Sequence, residues 1–231
     1  MAHRVAGVWH PEPGDFQLQG LWYPDGDEIT KYMVARLQTE PFYRADRLAD
    51  ALKHIRNFRG AVDCGAWVGA WSRELSKHFE RVVAIDIHPD NARCIAKNCS
   101  GNVSVVNCAL GKASGTAAVQ RSTYAGTIES WVVPDGDGPV VVPMKRLDDV
   151  REVQELPAVD YLKVHVNGAE LLVLQGAEQT IRRHRPVMTI VIKPALTRDF
   201  GNTPAEVYSL MESFGYVVAS ALKPYFVFAP R

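Results

Sequence analysis

Residues 61–75 read AVDCGAWVGAWSREL, and this stretch decides the fold. It opens with a short apolar run, bends at Gly65, and passes after Gly69 into a helical pattern carrying Trp71 and Leu75. A strand-to-helix turn of this kind is a crossover of a parallel sheet, and ligands bind beyond the carboxyl ends of such strands. Gly65 lets the chain turn sharply with no Cβ in the way, and Gly69 lets the helix start close to the sheet and to a ligand.

The same alternation continues downstream. Apolar runs recur as RVVAID (81–86), VSVVNCAL (103–110), VDYLKVHV (159–166) and VMTIVIK (187–193). Helical stretches lie between AVDCG and RVVAID, between RVVAID and VSVVNCAL, and after VDYLKVHV. The last, Gly168 to about His184, carries Leu171, Leu172, Leu174, Ala177 and Ile181 on one side. This pattern predicts parallel strands joined by crossover helices. Residues 111–143 break the rhythm and predict a β-hairpin or irregular excursion. Thr203 and Pro204 then open a helix as N-cap and first residue. VVASA and YFVFA follow, joined at Lys223-Pro224, and predict an antiparallel pair.

Upstream, Ile29, Met33 and Leu37, then Leu48, Leu52 and Ile55, recur at helical steps. They predict two amphipathic helices broken near Glu40-Pro41, after an irregular arm over residues 1 to about 26. The expected architecture is α/β: a doubly wound, Rossmann-like sheet of about seven strands, mostly parallel, with an antiparallel C-terminal strand pair and an N-terminal helical arm. The expected division is 1–58 for the arm and its helices and 59–231 for the sheet domain.

The spacing of the turn separates two ligands. A dinucleotide fold wants G-x-G-x-x-G, whose close glycines admit a pyrophosphate. Here the order is Asp63-x-Gly65-x-x-x-Gly69, with Trp67 between the glycines. A carboxylate at Asp63 would repel a pyrophosphate and suits the cationic methionyl part of S-adenosylmethionine. The second run ends in Asp86, seventeen residues after Gly69, where an acid can accept both hydroxyls of a ribose.

In order, VDCGAWVGAWS, VVAIDIHPDN, NVSVVNCALG, RLDDV, VDYLKVHVNGAELLVLQGA and RPVMTIVIKP resemble the FkbM-type S-adenosylmethionine-dependent methyltransferases, with YFVFAP like the family's closing strand. The resemblance runs from about Gly60 to the C-terminus. It implies cofactor roles for Asp63, Gly65, Ala66 and Gly69 in the first loop, with Asp86 on the ribose and Ile87 beside the adenine. Asn107, Cys108 and Ala109 would line the adenine pocket. It also implies methyl transfer to oxygen on a small-molecule or sugar-like acceptor.

One segment departs from the family pattern. Lys-hydrophobic-Asp-hydrophobic-Glu-Gly-Ala-Glu is expected, and Lys163-Val164-His165-Val166-Asn167-Gly168-Ala169-Glu170 is found. The next strand ends in Lys193 where an acid is usual. Two readings follow. In one, His165 is the catalytic general base, since an imidazole near its ordinary pKa of about 6.5 can take a proton at neutral pH. In the other, the domain binds its cofactor but is catalytically altered or inactive. Losing these acids also argues against a bound Mg²⁺, and no metal is expected. Glu170, at the start of a helix, suits a structural role at least as well as a catalytic one.

Composition sets the outer limits. The 231 residues carry 26 basic and 26 acidic side chains, so no charge excess points to nucleic acid or to an anionic membrane surface. Cys64, Cys94, Cys99 and Cys108 form no C-x-x-C pair and predict reduced thiols. No apolar run reaches the roughly 20 residues of a membrane span, nor does the N-terminus have a signal-peptide pattern. The expectation is a cytoplasmic protein. Trp9, Phe16, Trp22 and Tyr23 in the arm suit either closure over the site or contact with a second copy in a homo-oligomer.

Overall fold

The computed structural model describes residues 15–18, 20–24, 42–124, 127–134 and 140–231. The helix expected over residues 28–40 lies outside them. Seven strands form the main sheet: β3 (Gly60–Cys64), β4 (Arg81–Asp86), β5 (Val103–Asn107), β10 (Tyr161–Val164), β11 (Val187–Val191), β12 (Tyr216–Leu222) and β13 (Tyr225–Pro230). Their order across the sheet is β12-β13-β11-β10-β3-β4-β5. The pairs β3–β4, β4–β5, β3–β10 and β10–β11 are parallel, while β13 runs antiparallel to both β11 and β12. The closing hairpin therefore folds back so that β13 is inserted and β12 runs with the parallel strands. Only β13 is reversed.

Both faces of this sheet are covered, which is why its central strands read as nearly unbroken apolar runs. Alternate residues go to opposite faces. Val62, Cys64, Leu162, Val164, Met188 and Ile190 join the larger core, with Leu171, Leu174 and Ile181 behind the sheet. Ala61, Tyr161, Val187 and Val191 face the other way, onto Leu48, Ala51, Trp71 and Leu75. Leu48 and Ala51 belong to α1 (Ala45–Leu52), and Trp71 and Leu75 to α2 (Ala70–Leu75). Thus α1, placed in the arm by the expected division, packs directly on the sheet.

The long helix expected after β10 is two helices, α5 (Glu170–Gln175) and α6 (Glu178–His184). A Cβ on Gly176 would lie 2.0 Å from the carbonyl oxygen of Gly111, so a distant backbone presses into the break. Asp148 accepts hydrogen bonds from the amides of Gln179 and Thr180 and starts α6 afresh. Between β5 and β10 the excursion builds a second sheet, with order β6-β9-β7-β8, from β6 (Ala109–Leu110), β7 (Gly115–Tyr124), β8 (Thr127–Pro134) and β9 (Val140–Lys145). The run 103–110 thus divides between two sheets.

The remaining helices are α3 (Pro89–Asn98), α4 (Arg151–Gln154), α7 (Pro194–Asp199) and α8 (Pro204–Ser213). Thr203 caps α8 as expected, in a reciprocal box with Glu206. In the arm, β1 (Phe16–Leu18) and β2 (Leu21–Tyr23) form a hairpin. No described helix is long and apolar enough to cross a membrane.

Candidate active site

The turn after β3 is built from contacts to its neighbours. Gly65 takes φ +79°, and a Cβ there would sit 1.9 Å from the carbonyl oxygen of His165. The bend is therefore pressed against the end of β10, and only glycine allows it. Gly69, at φ +87°, caps α2, and a Cβ there would meet Cys99 Sγ at 2.9 Å and the Ile95 side chain. Ala66, between these glycines, is buried.

Asp63 goes beneath the turn. Strand alternation puts it on the same face as Ala61, under α2. Its carboxylate accepts from Lys163 Nζ at 2.6 Å and from the Ser72 hydroxyl at 2.8 Å. Lys163 also donates to the carbonyl oxygen of Gly65 at 3.0 Å and stands 5.5 Å from the Trp71 ring. Asp63 is neutralised by Lys163, and the pair fixes the position of the turn.

At the end of β4, Asp86 is buried and meets the turn from the side. Its Oδ2 accepts from the Trp67 amide at 2.7 Å, and its Oδ1 accepts from the His88 amide and from Asn91 Nδ2, each at 2.9 Å. Burial pushes its pKa up to about 6, against the pull of these three donors. A carboxylate offers about four lone-pair positions. Three of these are taken by the Trp67 and His88 amides and the Asn91 side chain. The Asn107 amide donates at 2.9 Å to the carbonyl oxygens of both Asp86 and Ile87, clipping the ends of β4 and β5 together. Cys108 and Ala109 are buried beside them, and Ile87 packs on the second sheet's cluster with Ala109. Burial raises the Cys108 thiol to about 12. His88 is the N-cap of α3 and accepts from the Asp90 amide.

The remaining sequence-selected residue, His165, follows β10, and its amide donates to the carbonyl of Cys64 at 2.9 Å. Its ring stands edge-on to Tyr225 at 5.8 Å. Burial holds its pKa well below 6.5, and the charges of Lys193, Lys163 and Arg44 push it the same way. The imidazole is therefore neutral at physiological pH and can accept a hydrogen bond. Those cations oppose the protonated state that a general base must reach. Glu170 holds the following turn, its buried carboxylate accepting from the amides of Val166 and Gly168. That turn carries Asn167 at φ +51°, and Lys193 Nζ donates to Asn167 Oδ1 at 3.2 Å.

Local sequence does not join Lys163, Arg44 or Tyr225 to the site. The position of Lys163 opposite Asp63 follows once β3 and β10 are known to pair. Arg44 and Tyr225 come from opposite ends of the chain, and no local signal joins them to His165. The arm hairpin also reaches the turn: Tyr23 lies 5.4 Å from the Trp67 ring, and Arg93 pairs with Asp15. Asn98 accepts from the Trp22 amide and donates to the Trp22 and Val68 carbonyls.

Comparison with known proteins decides the family. Residues 63–218, spanning β3 to β12, match the methyltransferase FkbM domain. The chain belongs to the FkbM methyltransferase family. Among curated relatives, methyltransferase sdnD of Sordaria araneosa is 25% identical over 198 residues, covering 67% of this chain and 75% of that protein. Among solved structures, a TehB-like SAM-dependent methyltransferase from Corynebacterium glutamicum aligns over 88% of this chain and 96% of its own, at a TM-score of 0.50 and 13% identity. It speaks for the fold alone. Methyltransferase FkbM from Methylobacillus flagellatus aligns over 74% of this chain at a TM-score of 0.49 and 19% identity, and this chain spans 43% of that one. The FkbM domain, with a glycine turn at its first crossover, takes S-adenosylmethionine as its cofactor. The residues fit that ligand: a buried acid ends β4, next to a turn closed tightly by two glycines.

Proposed function

We propose that the chain transfers a methyl group to oxygen on a small-molecule or sugar-like acceptor. The turn from Asp63 to Gly69 and Asp86 would hold the donor, and His165 would stand on the acceptor side. One observation carries this reading: Gly65 touches the backbone of His165 while Trp67 donates to Asp86, so a single loop joins both halves of the site. Asp86 would hold the ribose. Ile87, Asn107, Cys108 and Ala109 would border the adenine. When bound, S-adenosylmethionine supplies an activated methyl group on a cationic sulfur. The protein's contribution is then mainly alignment, because holding two reactants in line removes much of the entropic barrier. His165, neutral and edge-on to Tyr225, would accept a hydrogen bond from the acceptor and orient it.

The test has two parts. S-adenosylhomocysteine should raise the melting temperature and NAD should not, since a ligand at a hundredfold excess over its Kd adds about 2.7 kcal/mol. His165→Ala should then cut turnover and leave S-adenosylhomocysteine affinity nearly intact. Unchanged turnover would remove His165 from the acceptor side.

A second reading is a catalytically altered module that binds the donor without transferring its methyl group. The cations that disfavour a protonated His165 favour it. Donor binding without product across a broad acceptor panel would support it.

A further inference from the structure

We infer that Asn98 is a positioning residue for the methyl donor: it clips the arm's hairpin to the turn after β3, so that hairpin docking and donor binding strengthen each other. The inference rests on the proposed donor site in the turn and names a second element on which that site depends.

Trp67 lies in the turn at φ +51°. A residue with a side chain keeps this left-handed backbone only where its surroundings impose it. Two side chains do so here. Asp86, at the end of β4, accepts from the Trp67 amide at 2.7 Å. Asn98, the last residue of α3, donates through Nδ2 to the carbonyl oxygen of Val68 at 2.8 Å. The Trp67–Val68 segment is thus held at one end by the acid proposed for the ribose and at the other by Asn98.

The same side chain holds the arm. Its Oδ1 accepts from the Trp22 amide at 2.7 Å, and Nδ2 donates to the Trp22 carbonyl at 2.8 Å. The Asn98 amide therefore engages both polar groups of one hairpin residue, as a neighbouring strand would, and gives its other hydrogen to the turn. The rest of the hairpin follows the same surface. Tyr23 stands 5.4 Å from the Trp67 ring, and Leu21 and Tyr23 pack with Val68, Ala70 and Cys94. Arg73 of α2 donates to the Gly20 carbonyl at 3.0 Å, and Arg93 of α3 pairs with Asp15.

Undocking the hairpin would take the Tyr23 ring from Trp67 and the Trp22 backbone from Asn98, loosening the restraints that keep Trp67 left-handed. A donor seated in the turn would fix Trp67 and Val68 in the shape to which the hairpin docks. Such coupling is reciprocal: the factor that docking adds to donor affinity, the donor adds to docking.

The experiment uses the full chain with S-adenosylhomocysteine as the probe. In calorimetry, Asn98→Ala should bind it about fivefold or more weakly than the parent, the lower bound of a typical coupling. Asn102→Ala is the matched control. Asn102 Nδ2 also donates to two backbone carbonyls, those of Ser76 at 3.0 Å and Phe79 at 2.9 Å, but just before β5 and away from the turn. That variant should lose stability and keep the parent's affinity. Hydrogen exchange on the unaltered chain decides the matter if Asn98→Ala does not fold. Saturation with S-adenosylhomocysteine should slow exchange of the Trp22 amide by about fivefold or more. Parent-like affinity in Asn98→Ala, an equal loss in Asn102→Ala, or a Trp22 amide indifferent to the bound probe would overturn the inference and leave the donor site standing. If S-adenosylhomocysteine does not bind the parent chain, the donor site itself falls and takes the inference with it.

Discussion

Lys163 Nζ lies 2.6 Å from Asp63 Oδ1 across two adjacent parallel strands, and both side chains are buried. The two residues face each other in register, one hundred positions apart in the chain. Removing one member of such a pair leaves an uncompensated charge in the interior, which costs about 3–5 kcal/mol. Lys163→Met and Asp63→Asn should each lower the urea midpoint by that order. The double variant should recover part of the loss, because the orphaned charge is gone. A double-mutant cycle without coupling would show that the pair does not hold the turn.

Asp86 yields a pH dependence of definite sign. Its folded pKa is raised from 3.8 to about 6, so a cofactor that needs the ionised carboxylate loses affinity as pH falls through 6. S-adenosylhomocysteine should bind about tenfold more weakly at pH 5 than at pH 7, measured by calorimetry, since roughly a tenth of the groups remain ionised there. The stability of the free protein runs the other way for this group. The folded state takes up the proton first, so Asp86 adds stability as pH falls from about 6 toward 3.8. In Asp86→Asn both slopes should vanish and affinity should be low at every pH.

His165 gives the opposite slope. Its folded pKa lies well below 6.5, so the unfolded chain binds the proton first. Stability from this group is complete above 6.5 and is lost as pH drops below it. His165→Gln should flatten that part of the stability curve in urea titrations from pH 7.5 to 5. A profile identical to that of the parent chain would mean that the ring is not shielded as the fold implies.

The main sheet was legible because its strands are covered on both faces and so appear as apolar runs between helical stretches. The turn was legible because Gly65 and Gly69 sit where backbone alone is tolerated. What escaped depends on long-range pairing. The partner of Asp63, Lys163, comes from β10, one hundred residues further along the chain. The break at Gly176 is set by Gly111, and the reversal of β13 by its insertion next to β11. A hairpin in the sequence does not say which of its strands will take the inner place. The setting of His165 required Arg44, which precedes the first strand of the main sheet, and Tyr225, from its last strand in the chain.

Asp148, in the RLDDV segment, shows how a motif can be structural. It accepts from the Gln179 amide at 3.1 Å, the Thr180 amide at 2.9 Å and the Thr180 hydroxyl at 2.8 Å, and Arg146 pairs with it at 2.9 Å. Asp148→Ala should cost about 1–2 kcal/mol, the upper range for a lost N-cap. The urea midpoint should fall while S-adenosylhomocysteine affinity stays the same, because the cap serves α6 and not the turn. A matching loss of affinity would tie this corner to the cofactor.

Gly65 is the position where fold and site are least separable. An alanine there would carry φ +79° and put its Cβ 1.9 Å from a backbone oxygen that cannot swing aside. The left-handed conformation alone costs of order 1–3 kcal/mol for a residue with a side chain. The collision adds to it unless β10 and the turn separate. Gly65→Ala should therefore lose more than about 3 kcal/mol, or else fold with the His165 carbonyl displaced and S-adenosylhomocysteine binding lost. Gly101→Ala is the control: a Cβ there meets nothing within 4 Å, and its effect should stay within about 0.5 kcal/mol. If Gly65→Ala matched that control in both stability and affinity, the close seat of the turn against His165 would be refuted.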